Sequence, residues 1–296
     1  MPIFVRGLSR SGGTLMATIL DAHPGVAMCY EIYEHLIAPT EEMPDLLDRI
    51  VRELHHPPRR ASAAFSFSPQ VRTFMIRAER GGATRESIRA IFDAHIAASR
   101  TLDSIDDRLR IVGALGHEKA HRAAKRTWGV KIATTYEDAA RFFPEGKFLF
   151  MLRDGRDVAA SRMRVGDFAQ TIEQVAHGWR TQLRRFTRFL EGHGTRARLV
   201  RYEQLVTEPA AELRSLLSFL ELPWSDKVLE HNRQSLSIFT SPTGHLSGEQ
   251  VKAPINTSSI GRFRRDLTGE QVRAFEQVAG DELERCGYPL ALSATS

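Results

Sequence analysis

Apolar positions along the chain fall into short continuous runs separated by segments with a helical period. The run Pro2-Ile3-Phe4-Val5 reads as a buried strand, and the glycine- and serine-rich stretch Arg6 to Gly13 follows it as a loop. "TLMATILDAH" then has helical spacing and stops at His23-Pro24-Gly25. "TWGVKIA" is the next strand, and "TYEDAARFFP" is a helix closed by Pro144. "KFLFMLR" is apolar almost throughout, as a central parallel strand is, and "DGRDVAASRM" turns from it into a helix. The long stretch "QTIEQVAHGWRTQLRRFTRFLEG" reads as one amphipathic helix, "RARLVRY" as a strand, and "PAAELRSLLSFLEL" as a helix with proline at its start. "TGEQVRAFEQVAGDELERCG" is the closing helix. Between the strands at 2–5 and 127–133, residues 31–57 are helical in pieces and 58–84 are serine- and arginine-rich, ending at Gly81-Gly82. "TRESIRAIFDAHIAASR" is an amphipathic helix with a Thr-x-x-Ser start. Residues 235–262 carry almost no periodicity, which is long for a connection in a compact domain and points to a functional loop.

Strands alternating with helices predict an α/β fold: a P-loop-like domain with a central parallel sheet flanked by helices. The expected organisation is one domain over residues 1–296, with residues 32–125 as a helical excursion between the first two strands. There is no internal repeat and no low-complexity linker. No apolar run approaches the ~18–20 residues that span a bilayer. The N-terminal residues lack a basic segment followed by an apolar one. Cys29 and Cys286 are the two cysteines, far apart in sequence and without metal-ligand spacing. Together these features predict a cytoplasmic protein without membrane association.

The formal net charge is +5. Such a surplus suits an acidic or polyanionic ligand, and it is equally met by an arginine-rich solvated surface. The basic residues form no single tail and do not interleave with aromatics, so no nucleic-acid partner is expected.

The stretch "GLSRSGGT", Gly7 to Thr14, has the outline of a phosphate-binding loop between a strand and a helix. A nucleotide triphosphatase loop would carry lysine where this chain has Gly13. Backbone N–H groups, the hydroxyls of Ser9, Ser11 and Thr14, and the close approach allowed by Gly12 and Gly13 make an anion site. Arg10 is the loop's one full cation and supplies a planar fork in place of an ammonium. A second candidate anion site is Arg153, at the end of the best strand, with Ser161 on the helix that follows. An ordinary Arg153–Asp154 salt bridge accounts for that feature equally well.

These motifs, taken in order, resemble the sulfotransferases, and most closely the tyrosylprotein sulfotransferases. The loop resembles their 5′-phosphosulfate loop and "KFLFMLRDGRDVAAS" their 3′-phosphate motif. "TLMATILDAHPGVAMCYE", "FFPEGKFLFMLRDGR", "VRYEQLVTEPAAELRSLLSFLELPWSD" and "SGEQVKAPIN" resemble that family in the same order. The likeness covers residues 3–31 and roughly 128–265 and leaves 32–125 uncovered. Two loop positions depart from the pattern: Ser9 stands for the usual proline and Gly13 for the first threonine, which removes one hydroxyl donor.

The resemblance implies transfer of a sulfuryl group from 3′-phosphoadenosine 5′-phosphosulfate to an acceptor hydroxyl, without a metal and with 3′,5′-bisphosphorylated adenosine as product. It implies that Arg10, with Ser9, Ser11, Gly12, Gly13 and Thr14, grips the 5′-phosphate, that Lys131 adds charge there, and that Arg153 and Ser161 hold the 3′-phosphate. Arg164 assists, although the family places that arginine one residue later. Tyr202 contacts the nucleotide, and the segment Ser247, Gln250, Val251 to Asn256 folds over it, with Arg262 reaching a phosphate and Ser247 joining Arg10, Lys131 and Glu31 as a catalytic residue. Glu31 aligns without a gap on the family's catalytic glutamate, and Glu34 is its nearby competitor. The implied acceptor is an acidic tyrosine-containing peptide or protein, with a carbohydrate, lipid or small phenol as the alternative and a P-loop kinase or triphosphatase as the distant one. The resemblance also implies a bacterial-type form and leans towards a homodimer.

Overall fold

The structure is a computed structural model that describes residues 1–32, 50–55, 69–98, 104–132, 136–165, 170–240 and 248–291. Five strands form one parallel sheet: β1 (Ile3–Gly7), β2 (Val26–Tyr30), β3 (Thr127–Ile132), β4 (Lys147–Leu152) and β5 (Ala197–Arg201). Their order across the sheet is β2-β3-β1-β4-β5, with helices on the connections. This is the α/β architecture that alternating strands and helices predict. The sheet has one strand more than the apolar runs gave. "VAMCY" is β2, and its five residues are all buried. The segment 32–125 accordingly runs from β2 to β3, not between the first two strands.

The chain divides into two compact units. The first comprises Met1–Val5, Thr14–Lys147 and Leu217–Pro254. In it β2 and β3 pair in parallel from Val26↔Thr127 to Tyr30↔Lys131. Trp128 of β3 is buried in an aromatic cluster, edge-on to Phe4 (6.0 Å) and Phe143 (5.5 Å). The helix Arg85–Ala97 starts at the expected Thr84, whose side chain accepts from Ser87 N–H while the Ser87 hydroxyl accepts from Thr84 N–H. Two further helices, Pro69–Arg80 and Ile105–Arg122, complete the described part of the excursion. Of the helix expected near "PDLLDRIVRELHH", residues 50–55 are described and are helical.

The second unit comprises Arg6–Gly13, Phe148–Leu216 and Ile255–Ser296. Here β4 and β5 pair in parallel from Phe148↔Ala197 to Leu152↔Arg201. The expected long helix spans Ile172–His193, capped by Thr171 and Gln174. It packs with the closing helix Gly269–Arg285 around Trp179, Phe275, Phe263 and Leu283. Among the described residues no helix is long and apolar enough to cross a membrane.

Candidate active site

The second unit holds the glycine-serine loop. Gly7 ends β1 so close to β4 that a Cβ there would lie 2.9 Å from the Met151 Cβ. The loop then turns sharply, with Ser11 N–H donating to the Leu8 carbonyl at 3.0 Å. Arg10 sits at φ 77°, a left-handed conformation unusual for a residue with a Cβ. Gly12 follows at φ 92°, where a Cβ would lie 2.6 Å from the Tyr202 ring. The chain passes directly into the helix Gly13–Ala22, whose first-turn N–H groups have no partner within the helix.

The second anion-site candidate is hydrogen-bonded to the same loop. Arg10 Nε donates to Ser161 Oγ at 3.0 Å, and Arg153 Nη1 donates to the Arg10 carbonyl at 3.0 Å. Arg153 is buried at 4% exposure and lies over the Tyr202 ring, 4.7 Å from its centroid. Its Nη2 holds the Ser259 carbonyl, and Asp157 lies 3.7 Å away. The expected Arg153–Asp154 bridge is not what occupies these side chains. Asp154 pairs with the buried Arg156 at 2.7 Å, and Arg156 pairs with Glu276 at 2.6 Å. Asp157 anchors the segment beyond Ser259 by accepting from Gly261 N–H (2.8 Å) and Phe263 N–H (3.0 Å), and burial raises its carboxyl.

Three further arginines act on Arg10. Arg10 is pushed below the usual guanidinium value first by burial, then by Arg153, Arg262 and Arg164. Arg262 is itself held by Asp266, Nε to Oδ2 at 2.9 Å. The neighbouring arginines disfavour the charge on Arg10, a cost that a bound polyanion removes. The Nε of Arg153 is buried without a hydrogen-bond partner among the described residues. An orphaned guanidinium donor, a hydroxyl at Ser161, a Cβ-free backbone at Gly12 and an exposed hydroxyl at Ser9 form a donor set that fits phosphate oxygens.

Asn256 accepts from Ser258 N–H in a local turn. Gln250 is exposed on the short helix Gly248–Lys252 of the first unit, and Val251 is buried there with its carbonyl held by His231. Packing accounts for Val251 without a ligand. Thr14 is buried, and its carbonyl accepts from the Thr18 hydroxyl. Ser247 and Glu34 lie outside the described residues.

The first unit carries Glu31 and Lys131. Glu31 comes one residue after β2 and has φ 60°. Its N–H donates to the Lys131 carbonyl at 3.3 Å, extending the β2–β3 ladder past the strand end. The Lys131 ammonium is hydrogen-bonded to Glu31 Oε1. Two residues that sequence reading missed complete this group. Arg77 Nη1 donates to the Glu31 carbonyl at 3.2 Å, and Arg80 Nη1 lies 3.6 Å from Glu31 Oε2. Both come from the helix Pro69–Arg80, in the stretch that the serine and arginine content made look irregular. Its signals were present: proline at the first position, Phe74, Met75 and Ala78 in helical spacing, and Gly81-Gly82 at the end. Deeper in the same unit Asp21 is buried, bonded to Met28 N–H at 2.8 Å and to the Lys119 ammonium at 3.2 Å, with Lys125 3.7 Å away.

Comparison with known proteins supplies a family. Residues 2–226 match the model of the sulfotransferase family. A protein-tyrosine sulfotransferase of Drosophila melanogaster is 27% identical over 94% of this chain, and protein-tyrosine sulfotransferase A of Caenorhabditis elegans is 26% identical over 97% of it. The chain spans 50% of the length of the Drosophila relative and 67% of the nematode one. Among solved structures, a sulfotransferase domain from the curacin biosynthetic pathway superposes with a TM-score of 0.63 at 20% identity, covering 98% of this chain and 99% of that one. The sulfotransferase domain of the Synechococcus PCC 7002 olefin synthase gives 0.56 at 18% identity, covering 94% of each. The last two show the shared fold, and the family match shows descent: the chain belongs to the sulfotransferase family.

Proposed function

We propose that this chain transfers a sulfuryl group from 3′-phosphoadenosine 5′-phosphosulfate to a hydroxyl, with a protein or peptide tyrosine as acceptor. The observation that carries the donor side is the set of four arginines in the loop unit, around a backbone held in left-handed conformations at Arg10 and Gly12. A left-handed residue with a Cβ, as at Arg10, persists where the surroundings over-determine it, and such backbone concentrates at binding sites. The donor brings an activated sulfuryl group with a phosphate leaving group. The residues of this chain bind and orient it. Loop N–H groups and Arg10 face the 5′-phosphate side and meet the charge that develops there. Arg153 and Ser161 hold the 3′-phosphate, Tyr202 flanks the nucleotide, and Arg164 and Arg262 add to the field.

On the acceptor side, Glu31 accepts the hydroxyl proton at a carboxylate oxygen. Lys131 orients that carboxylate through its hydrogen bond to Oε1. Positioning of donor and acceptor together with fixed positive charge supplies the rate, as in other group transfers whose transition state asks for little covalent help from the protein. The tyrosine acceptor rests on the names of the relatives, which align over nearly all of this chain. The net charge of +5 agrees with an acidic acceptor.

A peptide and glycan array incubated with radiolabelled donor tests the reading. Label on tyrosine peptides flanked by aspartate and glutamate supports it. Label on glycans alone keeps the transfer reaction and replaces the acceptor.

A further inference from the structure

The geometry points to Arg80 and Arg77 as positioning residues for Glu31, through which the helix Pro69–Arg80 sets the conformation and basicity of that carboxylate. The inference rests on the reading of Glu31 as proton acceptor and adds two residues from a segment that the family's motifs do not cover. Every acceptor on Glu31 has a cation against it. Its backbone carbonyl receives Arg77 Nη1 at 3.2 Å, Oε1 receives the Lys131 ammonium, and Oε2 faces Arg80 Nη1 at 3.6 Å. Arg77 and Arg80 are three residues apart on one helix and therefore share a face.

The helix is seated where this reach is possible. It ends at Gly81 and Gly82, with Gly81 N–H on the Arg77 carbonyl and Ala83 N–H on the Ala78 carbonyl, and Gly82 at φ 88°. A Cβ at Gly81 would lie 3.1 Å from the Ala78 carbonyl and 3.7 Å from Cys29 Cα, so the helix end approaches the backbone of β2 two residues before Glu31. Phe74, Met75 and Ala78 of the same helix are buried. The Glu31 backbone is left-handed at φ 60°, a conformation that needs outside support in a residue with a Cβ. Arg77 on the carbonyl supplies support to the backbone, and Arg80 with Lys131 supplies it to the side chain.

The contact between Arg80 and Oε2 is an ion pair beyond hydrogen-bond distance. Among the described residues, the charged groups facing Glu31 include Lys131 from β3 and Arg77 and Arg80 from the helix. Cys29 on β2 stays a neutral thiol, its pKa pushed up to about 11 by burial. Burial lowers Arg80 from its ordinary value while the Glu31 charge raises it, the mark of a guanidinium shielded from water beside a carboxylate.

The test is a carboxyl-carbon NMR titration of the full chain labelled at glutamate, with the Glu31 resonance assigned by its loss in Glu31→Gln. In Arg80→Met the Glu31 midpoint should rise by about one pH unit, the low end for removing a close opposite charge. Arg80→Lys should hold it near the wild-type value. In parallel, the acid limb of the rate with an acidic tyrosine peptide and the phosphosulfate donor should move the same way. Thermal melting checks that each variant is folded, and Arg80→Gln, with the same expected rise, takes the place of the methionine variant if that one is not. A Glu31 midpoint that is the same in Arg80→Met and wild type, or one that moves as far in Arg80→Lys as in Arg80→Met, overturns the inference. Full activity in Glu31→Gln would instead remove the proton-acceptor reading while leaving the NMR result to stand on its own.

Discussion

Lys131 and Glu31 meet twice across neighbouring strands: the Glu31 N–H donates to the Lys131 carbonyl at 3.3 Å, and the Lys131 ammonium donates back to the Glu31 carboxylate. The Tyr30↔Lys131 register of β2 and β3 makes both contacts possible, because it leaves Glu31 as the first residue beyond the strand. The sheet therefore fixes the distance between a carboxylate and its cation, and a loop is not asked to do so.

If Glu31 takes the acceptor proton, Glu31→Gln keeps the shape and hydrogen-bonding size of the side chain and loses the basic oxygen. Turnover should fall ~10²–10⁴-fold, the usual loss on removing a general base. Affinity for 3′,5′-bisphosphorylated adenosine should stay near wild type. Steady-state rates beside calorimetric titration check both halves, and unchanged turnover removes Glu31 from the mechanism.

Gly12 makes a separate demand. Alanine there meets both a left-handed backbone at φ 92° and the Tyr202 ring 2.6 Å from the new Cβ. Gly12→Ala should cost about 1–3 kcal/mol of stability through backbone strain alone. It should also weaken nucleotide binding by displacing Tyr202. Pairing it with Tyr202→Ala should restore part of the loss from the ring clash and none of the loss from the backbone, as read by thermal melting.

The buried charges of the first unit set another test. Asp21 is 2% exposed and lies against Lys119 and Lys125. Lys119→Met removes the nearer cation, its bond to the Met28 carbonyl and its contact with Ser237. Breaking a buried pair from one side typically costs about 3–5 kcal/mol. Lys125 remains beside Asp21, so the loss should fall at the low end of that range, measured by urea denaturation. A loss below the error of the measurement would show that Asp21 does not need this partner.

Stability should also depend on pH through His23. Its Nδ1 accepts from Gly25 N–H at 2.9 Å, and its Nε2 lies 2.8 Å from the Pro223 carbonyl, so the ring is held as the neutral Nε2–H tautomer. Burial lowers its pKa below the ordinary 6.5, with the Pro223 carbonyl opposing and Lys125 adding. The unfolded chain then binds the proton more readily than the folded one. This stability is fully present above about pH 6.5 and is lost as pH falls through the folded-state value. His231 contributes with the same sign, because its burial also lowers its pKa. Urea midpoints from pH 8 to pH 5 should fall in wild type and fall less in His23→Gln. An equal slope in both would contradict the assignment.

Much of this architecture is legible in the chain. "KFLFMLR" announces β4 because a strand covered on both faces has no polar alternation. The helix Ile172–His193 and the cap at Thr84 follow from period and capping chemistry. The pairing of Arg10 with the Arg153–Ser161 segment is legible only as two separate anion sites, since no local pattern states that residues 151 positions apart share a hydrogen bond. β2 escapes notice because "VAMCY" is five residues long and follows a helix that is itself apolar. Arg77 and Arg80 escape because arginine-rich polarity masks the spacing of Phe74, Met75 and Ala78, and because their partner Glu31 lies 46 and 49 positions earlier in the chain.

Calorimetric titration with 3′,5′-bisphosphorylated adenosine, set beside ATP with Mg²⁺, tests the central claim most directly. The account predicts that the bisphosphate binds, that Arg10→Ala and Ser161→Ala each weaken it, the former about tenfold or more as expected for losing a charged hydrogen bond, and that ATP with Mg²⁺ competes poorly. Tight binding of ATP with Mg²⁺ and no response to the bisphosphate, or bisphosphate affinity indifferent to Arg10→Ala, would contradict it.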